Sequence, residues 1–499
     1  MTRNYWLLGG TLAVALALRL PGIAWGLPPV TDQVRKSDLR SSYSFDEAGI
    51  LSGVAKADVR RFDFDPNEYH WGTLHGELVL LTLDGAQAVG VFRTPWREAY
   101  YGLADRDFVR VYVVGRLVAV ASALLTVWLL FQFGGWAGAF AAMLVAVSPS
   151  HMLQSDQVRV DVTMTAMLVL TLLLATRADN TRRFLLLGIA GGLAIAGKYS
   201  AISAVAAIVL AAVWLARFPW RGILAAAGGT VGGFIAGSPY ILVKPRAYYE
   251  EINRYMTANA HVPADFLIPP LKMLGMHFVN IARFSIGVPA LLLALVGIVW
   301  MVRRRSRFDW IVLAAIAGYT VILFPLHWPL IRYDLPLIVL LALCAGVALE
   351  RFPKHWRYGL TAAALLMPLA GSIAQIHYMR SPHPADLMMA RIIEMVPDGN
   401  AISRLMADSP PLDGHIYPMG PALFGTTFAG NPPPWALTTN LNDVPYPATT
   451  RAALESSYEE VAHFESQRIL AWATLGETGA PHDWKYTHCS YTLLRRKSP

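Results

Sequence analysis

Ser41-Ser42-Tyr43-Ser44-Phe45-Asp46-Glu47-Ala48-Gly49 opens the first long polar segment of the chain, just after an apolar span from about Tyr5 to Trp25. Arg3 precedes that span, so the positive-inside rule puts the N-terminus in the cytoplasm and Asp46 outside. Carboxylates at a bilayer surface are costly unless solvated or paired, and anchoring does not require them. In the plainer role, Asp46 and Glu47 solvate the first turn of a surface helix with Ser44 as its N-cap. What the remaining chain places beside the pair decides between that role and a functional one.

Composition sets the class. Of 499 residues, 55% are hydrophobic and 15% charged. Soluble domains carry roughly 25% charge, so the depletion is that of a membrane protein. The formal charge of +8 is not a nucleic-acid signal, because the arginines cluster in short loops between apolar spans. Cys344 and Cys489 make neither a disulfide framework nor a metal site. The first apolar span is too long for a signal peptide and lacks a small-residue cleavage site.

Beyond that span, residues 26 to about 107 form a long outer segment that is too polar to cross. Its apolar part, 76–92, carries Glu77 and Asp84 and is expected to lie along the membrane surface. Further apolar stretches follow at about 108–130, 136–150, 161–177, 184–198, 200–216, 222–242, 286–302, 309–326, 333–350 and 358–377. If they alternate, Arg177/Arg182/Arg183, Arg217/Arg221, Arg303/Arg304/Arg305/Arg307 and Arg351/Lys354/Arg357 all fall in the cytoplasm. This pattern supports about eleven spans. The expected architecture is an α-helical polytopic domain over residues 1–377, followed by a small extracytoplasmic α/β or α+β domain over 378–499.

With this topology the unusual polar residues gather on the outer side: Asp46 and Glu47, then Ser155-Asp156-Gln157-Val158-Arg159-Val160-Asp161, then Lys198-Tyr199 between two short helices. His327, Arg332, Tyr333 and Asp334 sit at the mouth of another span. Each has a plainer role taken singly: Arg159 pairing with Asp161, Lys198 snorkelling, Arg332 anchoring at headgroups. Jointly, two carboxylate centres and three cations at one membrane face suggest a site for an anionic, lipid-linked substrate.

The order of these motifs resembles the GT-C glycosyltransferases that use polyprenyl-phosphate sugars, above all the protein O-mannosyltransferases and the transferases that add aminoarabinose to lipid A. The resemblance rests on Asp46-Glu47 in the first outer loop, Tyr69-His70-Trp71-Gly72-Thr73-Leu74, Arg116-Leu117, Arg159-Val160-Asp161, Gly192-Leu193-Ala194 with Lys198-Tyr199, and Arg332-Tyr333-Asp334-Leu335-Pro336. It covers roughly residues 5–350 and departs from the family pattern after His70, where Pro-Pro is missing. It implies an inverting transfer of a sugar from a polyprenyl-phosphate donor to a hydroxyl acceptor, in the plasma membrane and on its outer face.

The residue types suit that chemistry. The carrier phosphate is already a good leaving group, so the reaction needs a base for the acceptor hydroxyl and cations for the phosphate charge. Asp46 is assigned as base, with Glu47 orienting Asp46 or the acceptor. Lys198, Arg332 and Arg116 are phosphate candidates, Arg as a two-point fork and Lys as a point charge. Arg159 and Asp161 would shape the sugar pocket or position a cation, with Tyr199, Tyr333 and His70 as further substrate contacts. His151, Asp156 and Asp161 match no zinc spacing, and neither a metal nor another cofactor is expected. Two other readings stay open, a secondary transporter and a non-catalytic binder of lipid-linked sugar. A transporter calls for repeats and charges at mid-depth, whereas these charges sit at outer ends.

Overall fold

The computed structural model describes residues 5–27, 42, 44–61, 63–101, 106–217, 219–260, 268–324, 326, 328–397, 402–404, 433–441, 448–476 and 479–497. Helix α1 (Tyr5–Arg19) is followed by three helices of the long polar segment, α2 (Phe45–Val54), α3 (Leu74–Ala88) and α4 (Trp96–Tyr101). Then come α5 (Arg106–Phe131), α6 (Gly135–Ala146), α7 (Pro149–Ser155), α8 (Val160–Arg177), α9 (Thr181–Gly197), α10 (Ile202–Ala216) and α11 (Pro219–Gly237). After α12 (Pro245–Ala260) and α13 (Pro270–Phe284) the apolar helices resume with α14 (Gly287–Arg304), α15 (Arg307–Leu323), α16 (Leu335–Leu349) and α17 (Lys354–Arg380).

Helices form at all eleven expected stretches, but the count of eleven spans is not confirmed. Among the described residues, seven helices are long and apolar enough to cross a membrane. There are eight if α6 and α7, bent by 61° at their break, make one span. α9 and α15 have 17 residues each, and α11 is glycine-rich; these three fall outside that measure. α3, with 15 residues, also falls outside it. It buries Val79, Leu80 and Leu83 towards α2 and α5 and leaves Leu78 and Leu81 exposed.

The centre of the bundle is α16, every residue of which is buried. An all-round apolar helix suits either a protein core or a lipid-facing span, and it is the packing of α16 against α14 and α6 that places it inside. The Arg332-Tyr333-Asp334 motif forms the short 3₁₀ turn Ile331–Asp334 at its start, so the innermost helix carries part of the candidate site. α8 joins the two ends of the bundle, with Arg159 before its first turn and Arg177 in its last. Its 18 residues span about 27 Å. At the far end, Arg177 donates to the Gln132 carbonyl (2.9 Å), and Arg307 donates to the carbonyls of Ala175 and Ala178. The arginine-rich ends therefore collect on one face, away from Arg159.

The C-terminal part contains α18 (Pro384–Met395), β1 (Ile402–Arg404), β2 (Trp435–Thr439), α19 (Ala448–Ser457), β3 (Tyr458–Glu465), α20 (His482–Lys485) and β4 (Ser490–Arg496). The sheet order is β1-β2-β4-β3, with β1 parallel to β2 and the other two pairs antiparallel. In the β2–β4 register, Leu437 faces Leu493. One apolar cluster joins this sheet to the bundle: Leu437, Leu493 and Trp484 share it with Trp25, Met152, Phe284 and Ile331.

Candidate functional site

α2 begins at Phe45 with Ser44 at its N-cap position in extended backbone, but the Ser44 hydroxyl makes no capping bond. It accepts instead from Nη2 of Arg159, at 2.9 Å. The two acids that follow are about 100° apart around the helix and meet different partners. Glu47 is fully buried. It accepts from Arg116 at two points, Nε–Oε1 2.8 Å and Nη2–Oε2 2.7 Å, from the Val158 amide at 2.7 Å and from the Ser42 hydroxyl at 2.5 Å. Arg116, equally buried, also donates to the carbonyls of Ile23 (2.9 Å) and Trp25 (2.6 Å). This corrects two expectations. Glu47 does not orient Asp46, and Arg116 does not face a phosphate, because each satisfies the other inside the protein. Together they tie α2, the exit of α1, α5 and the start of α8.

Asp46 lies on the half-buried side of the turn. Nη1 of Arg159 and Nη1 of Arg332 (2.6 Å) both donate to its Oδ2. Burial alone would push its carboxyl upward, but Arg332, Arg159 and Lys198 outweigh burial and hold it well below the usual carboxylate range. Arg159 is fixed in turn by Gln157, whose Oε1 accepts from Nε at 3.0 Å. Asp161 is not its partner, contrary to the simplest sequence pairing. Asp161 accepts instead from Lys198 Nζ, at 2.6 Å. Tyr333 links the two ion pairs, its ring centroid lying 4.7 Å from Lys198 Nζ and 5.4 Å from the Arg332 guanidinium carbon.

Lys198 is the C-cap of α9 and precedes the 3₁₀ turn Tyr199–Ala201, as expected of a junction between two short helices. The polar segment holds this junction. The Tyr199 amide donates to the Trp71 carbonyl (3.0 Å), and its hydroxyl donates to the Tyr69 carbonyl (2.7 Å). Gly72 makes that approach possible, since its φ is +124° and an added Cβ would sit 2.4 Å from the Ala196 carbonyl oxygen. Tyr199 is thus a strut, and its hydroxyl is occupied. His70 points into another cluster: Nδ1 lies 2.5 Å from Glu68 Oε1 and its ring packs on Trp71. Glu68, His70 and Glu251 each offer one atom within 4.8 Å of the others, a grouping that could hold a divalent cation. Glu251 comes from α12, which no local spacing connects to His70.

Sequence reasoning missed several residues that shape the site. Gln157 and Ser44 orient Arg159. His277, on α13, bonds Asp334 at 2.7 Å with both residues buried. Asp483, on α20, accepts from the backbone of the Arg332 turn. Ser44, Gln157 and Asp334 carried a signal, as neighbours of motif residues, whereas His277 and Asp483 belong to no motif read in the sequence. His327 lies outside the described residues.

Residues 101–242 match the family described as dolichyl-phosphate-mannose-protein mannosyltransferase. The matched segment holds Arg116, Arg159, Asp161, Lys198 and Tyr199, and it bears out the resemblance read from the motifs. No curated protein sequence matches the chain. Solved structures similar to it include ArnT from Cupriavidus metallidurans bound to undecaprenyl phosphate, with a TM-score of 0.47 and 13% identity over 99% of this chain and 98% of that one. The apo state of the same protein has a TM-score of 0.43 and 15% identity over 78% and 73% of the two chains. The Archaeoglobus fulgidus oligosaccharyltransferase in complex with Zn and sulfate has a TM-score of 0.43 and 17% identity over 79% and 56%.

Proposed function

We propose that the protein is an integral-membrane inverting glycosyltransferase that moves a sugar from a polyprenyl-phosphate carrier to a hydroxyl acceptor on the extracytoplasmic face. The observation that carries this reading is one carboxylate, Asp46, met by two guanidiniums beside the Lys198–Asp161 pair, all at helix ends where a lipid phosphate can arrive from the adjacent leaflet. The family match over residues 101–242 supports the donor class, because a dolichyl phosphate is a polyprenyl phosphate. Charges at helix ends rather than at mid-depth favour a transferase over a transporter.

In this reading Asp46 takes the proton of the acceptor hydroxyl as its oxygen bonds to the anomeric carbon. The bond from that carbon to the carrier phosphate oxygen breaks on the opposite face, which inverts the centre and leaves polyprenyl phosphate. Arg332 and Lys198 carry the phosphate charge as it develops. Asp46 in its free state is clamped by two cations and is a weak base. A donor phosphate competing for Arg332 weakens that clamp, so donor binding raises the basicity of Asp46 when it is needed. Asp161 and Arg159 hold Lys198 and Asp46 in place beside the sugar.

The first test is mass spectrometry of lipids that co-purify with the protein in detergent; recovery of a polyprenyl phosphate or its sugar is expected, and only bulk phospholipid would count against the donor class. The second uses that donor. Lys198→Ala and Arg332→Ala should raise its KM while leaving the acceptor KM near normal, and Arg332→Lys should still be impaired, because it loses the planar fork. A flat donor KM with a raised acceptor KM would move both cations to the acceptor side.

A further inference from the structure

The turn that presents Arg332 is fixed from outside the membrane-spanning part of the chain. A helical turn leaves its first backbone N–H groups without partners of its own. Here both are accepted by one side chain: Asp483 Oδ1 takes the Ile331 amide and Oδ2 the Arg332 amide, each at 3.0 Å. Asp483 sits on α20 of the C-terminal part, 151 residues beyond Arg332, and is fully buried. Gln154 Nε2, on the α7 helix that leads towards Arg159, lies 3.4 Å from the same Oδ2. Beside it, Trp484 packs on Phe284 with ring centroids 4.8 Å apart, and both share an apolar cluster with Ile331 and Met152. At the other end of the turn, Asp334 is held by His277. A carboxylate taken out of water is retained where its partners are fixed, and charge-assisted bonds to two successive amides set a backbone firmly.

We propose that Asp483 is a positioning residue of the transfer reaction: it fixes the Arg332 backbone so that the guanidinium reaches Asp46 and the carrier phosphate, which makes the C-terminal domain a working part of the donor site. The proposal rests on the transferase reading above. Binding and transfer depend on placement to within about an ångström, so release of this turn weakens the phosphate contact without removing the arginine. Asp483 touches neither donor nor acceptor and acts through Arg332 alone.

The test titrates the full-length protein in detergent with undecaprenyl phosphate, comparing wild type, Asp483→Ala, Asp483→Asn, Arg332→Ala and the Asp483→Ala/Arg332→Ala double variant. Melting temperatures are recorded beside each titration. Asp483→Ala is expected to weaken binding about ten-fold or more, in line with the loss of hydrogen bonds to a charged group. Asp483→Asn, which keeps one acceptor, should fall between it and wild type. The double variant should bind no more weakly than Arg332→Ala alone, since the two residues act on one contact. A folded Asp483→Ala that binds like wild type, or losses that add in the double variant, would overturn the positioning role and leave Arg332 untouched. If Asp483→Ala does not fold, Asp483→Asn and its double variant with Arg332→Ala decide on the same criteria. Wild-type protein that binds no undecaprenyl phosphate would overturn the transferase reading itself, and this proposal with it.

Discussion

Asp46 and Glu47 are neighbours with opposite fates, and the difference is exposure. Asp46→Asn should lower turnover by about 10²–10⁴-fold while the protein still binds undecaprenyl phosphate. Wild-type turnover in that variant would transfer the role to another carboxylate. Glu47→Ala should instead act on the fold, because it leaves Arg116 as an unpaired charge in the interior, at a cost of about 3–5 kcal/mol. A melting temperature close to wild type would refute it. Asp46 also predicts a pH dependence of stability. Its folded carboxyl is held below the unfolded value, so its contribution is present above about pH 4 and is lost as pH falls towards the folded value. The gap in melting temperature between wild type and Asp46→Asn should therefore be widest near neutrality and close in acid; a gap that widens on acidification would contradict the clamp.

Elements meet where a side chain would intrude. The polar segment touches the end of α9 through Gly72, and Gly72→Ala combines a backbone conformation alanine rarely adopts with an overlap on Ala196. Loss of the Tyr199–Trp71 bond and a displaced Lys198 should follow, seen as weaker donor binding in a protein that is still folded. Normal donor affinity would show that the Lys198 junction holds without this contact. α9 and α11 pack through glycines on both helices. A Cβ on Gly192 would lie 2.2 Å from the Thr230 carbonyl oxygen, and one on Gly233 the same distance from that of Ile189. Small residues let two backbones approach closely inside a membrane, where burial of apolar surface gives no drive to associate. Gly192→Val should cost about 1–3 kcal/mol by overpacking, and an unchanged melting temperature would mean that these helices slide apart freely.

For the whole molecule, the contact between Asp483 and the Arg332 turn requires the C-terminal segment that carries Asp483 to share one side of the membrane with Asp46. The arginine-bearing ends of α8, α14 and the loop before α17 should occupy the other. Both native cysteines are buried, so an impermeant maleimide applied to spheroplasts reads introduced sites against a low background. Ser456→Cys, on exposed α19, should label, and Thr181→Cys, at the exposed start of α9, should label only after lysis. Labelling of both in intact spheroplasts would mean that the number of crossings between them is even.

The class and the helical stretches were legible in the sequence, and so was the neighbourhood of the candidate site. Apolar length, arginine-rich turns and the order of Asp46, Arg159, Lys198 and Arg332 are local signals, written in consecutive residues. The sequence could not determine which charge meets which. Arg159 stands two residues from Asp161 yet pairs with Asp46, and Lys198 takes Asp161, because helix direction and burial, not distance along the chain, choose partners. It left the span count open for the same reason: α9, α11 and α15 are short or glycine-rich, and only their packing in the bundle accounts for them. Glu47, Arg116, His277 and Asp483 were decided by tertiary structure alone. Each is a polar group taken out of water, and such a group is stable only where the fold brings its partner from a distant part of the chain.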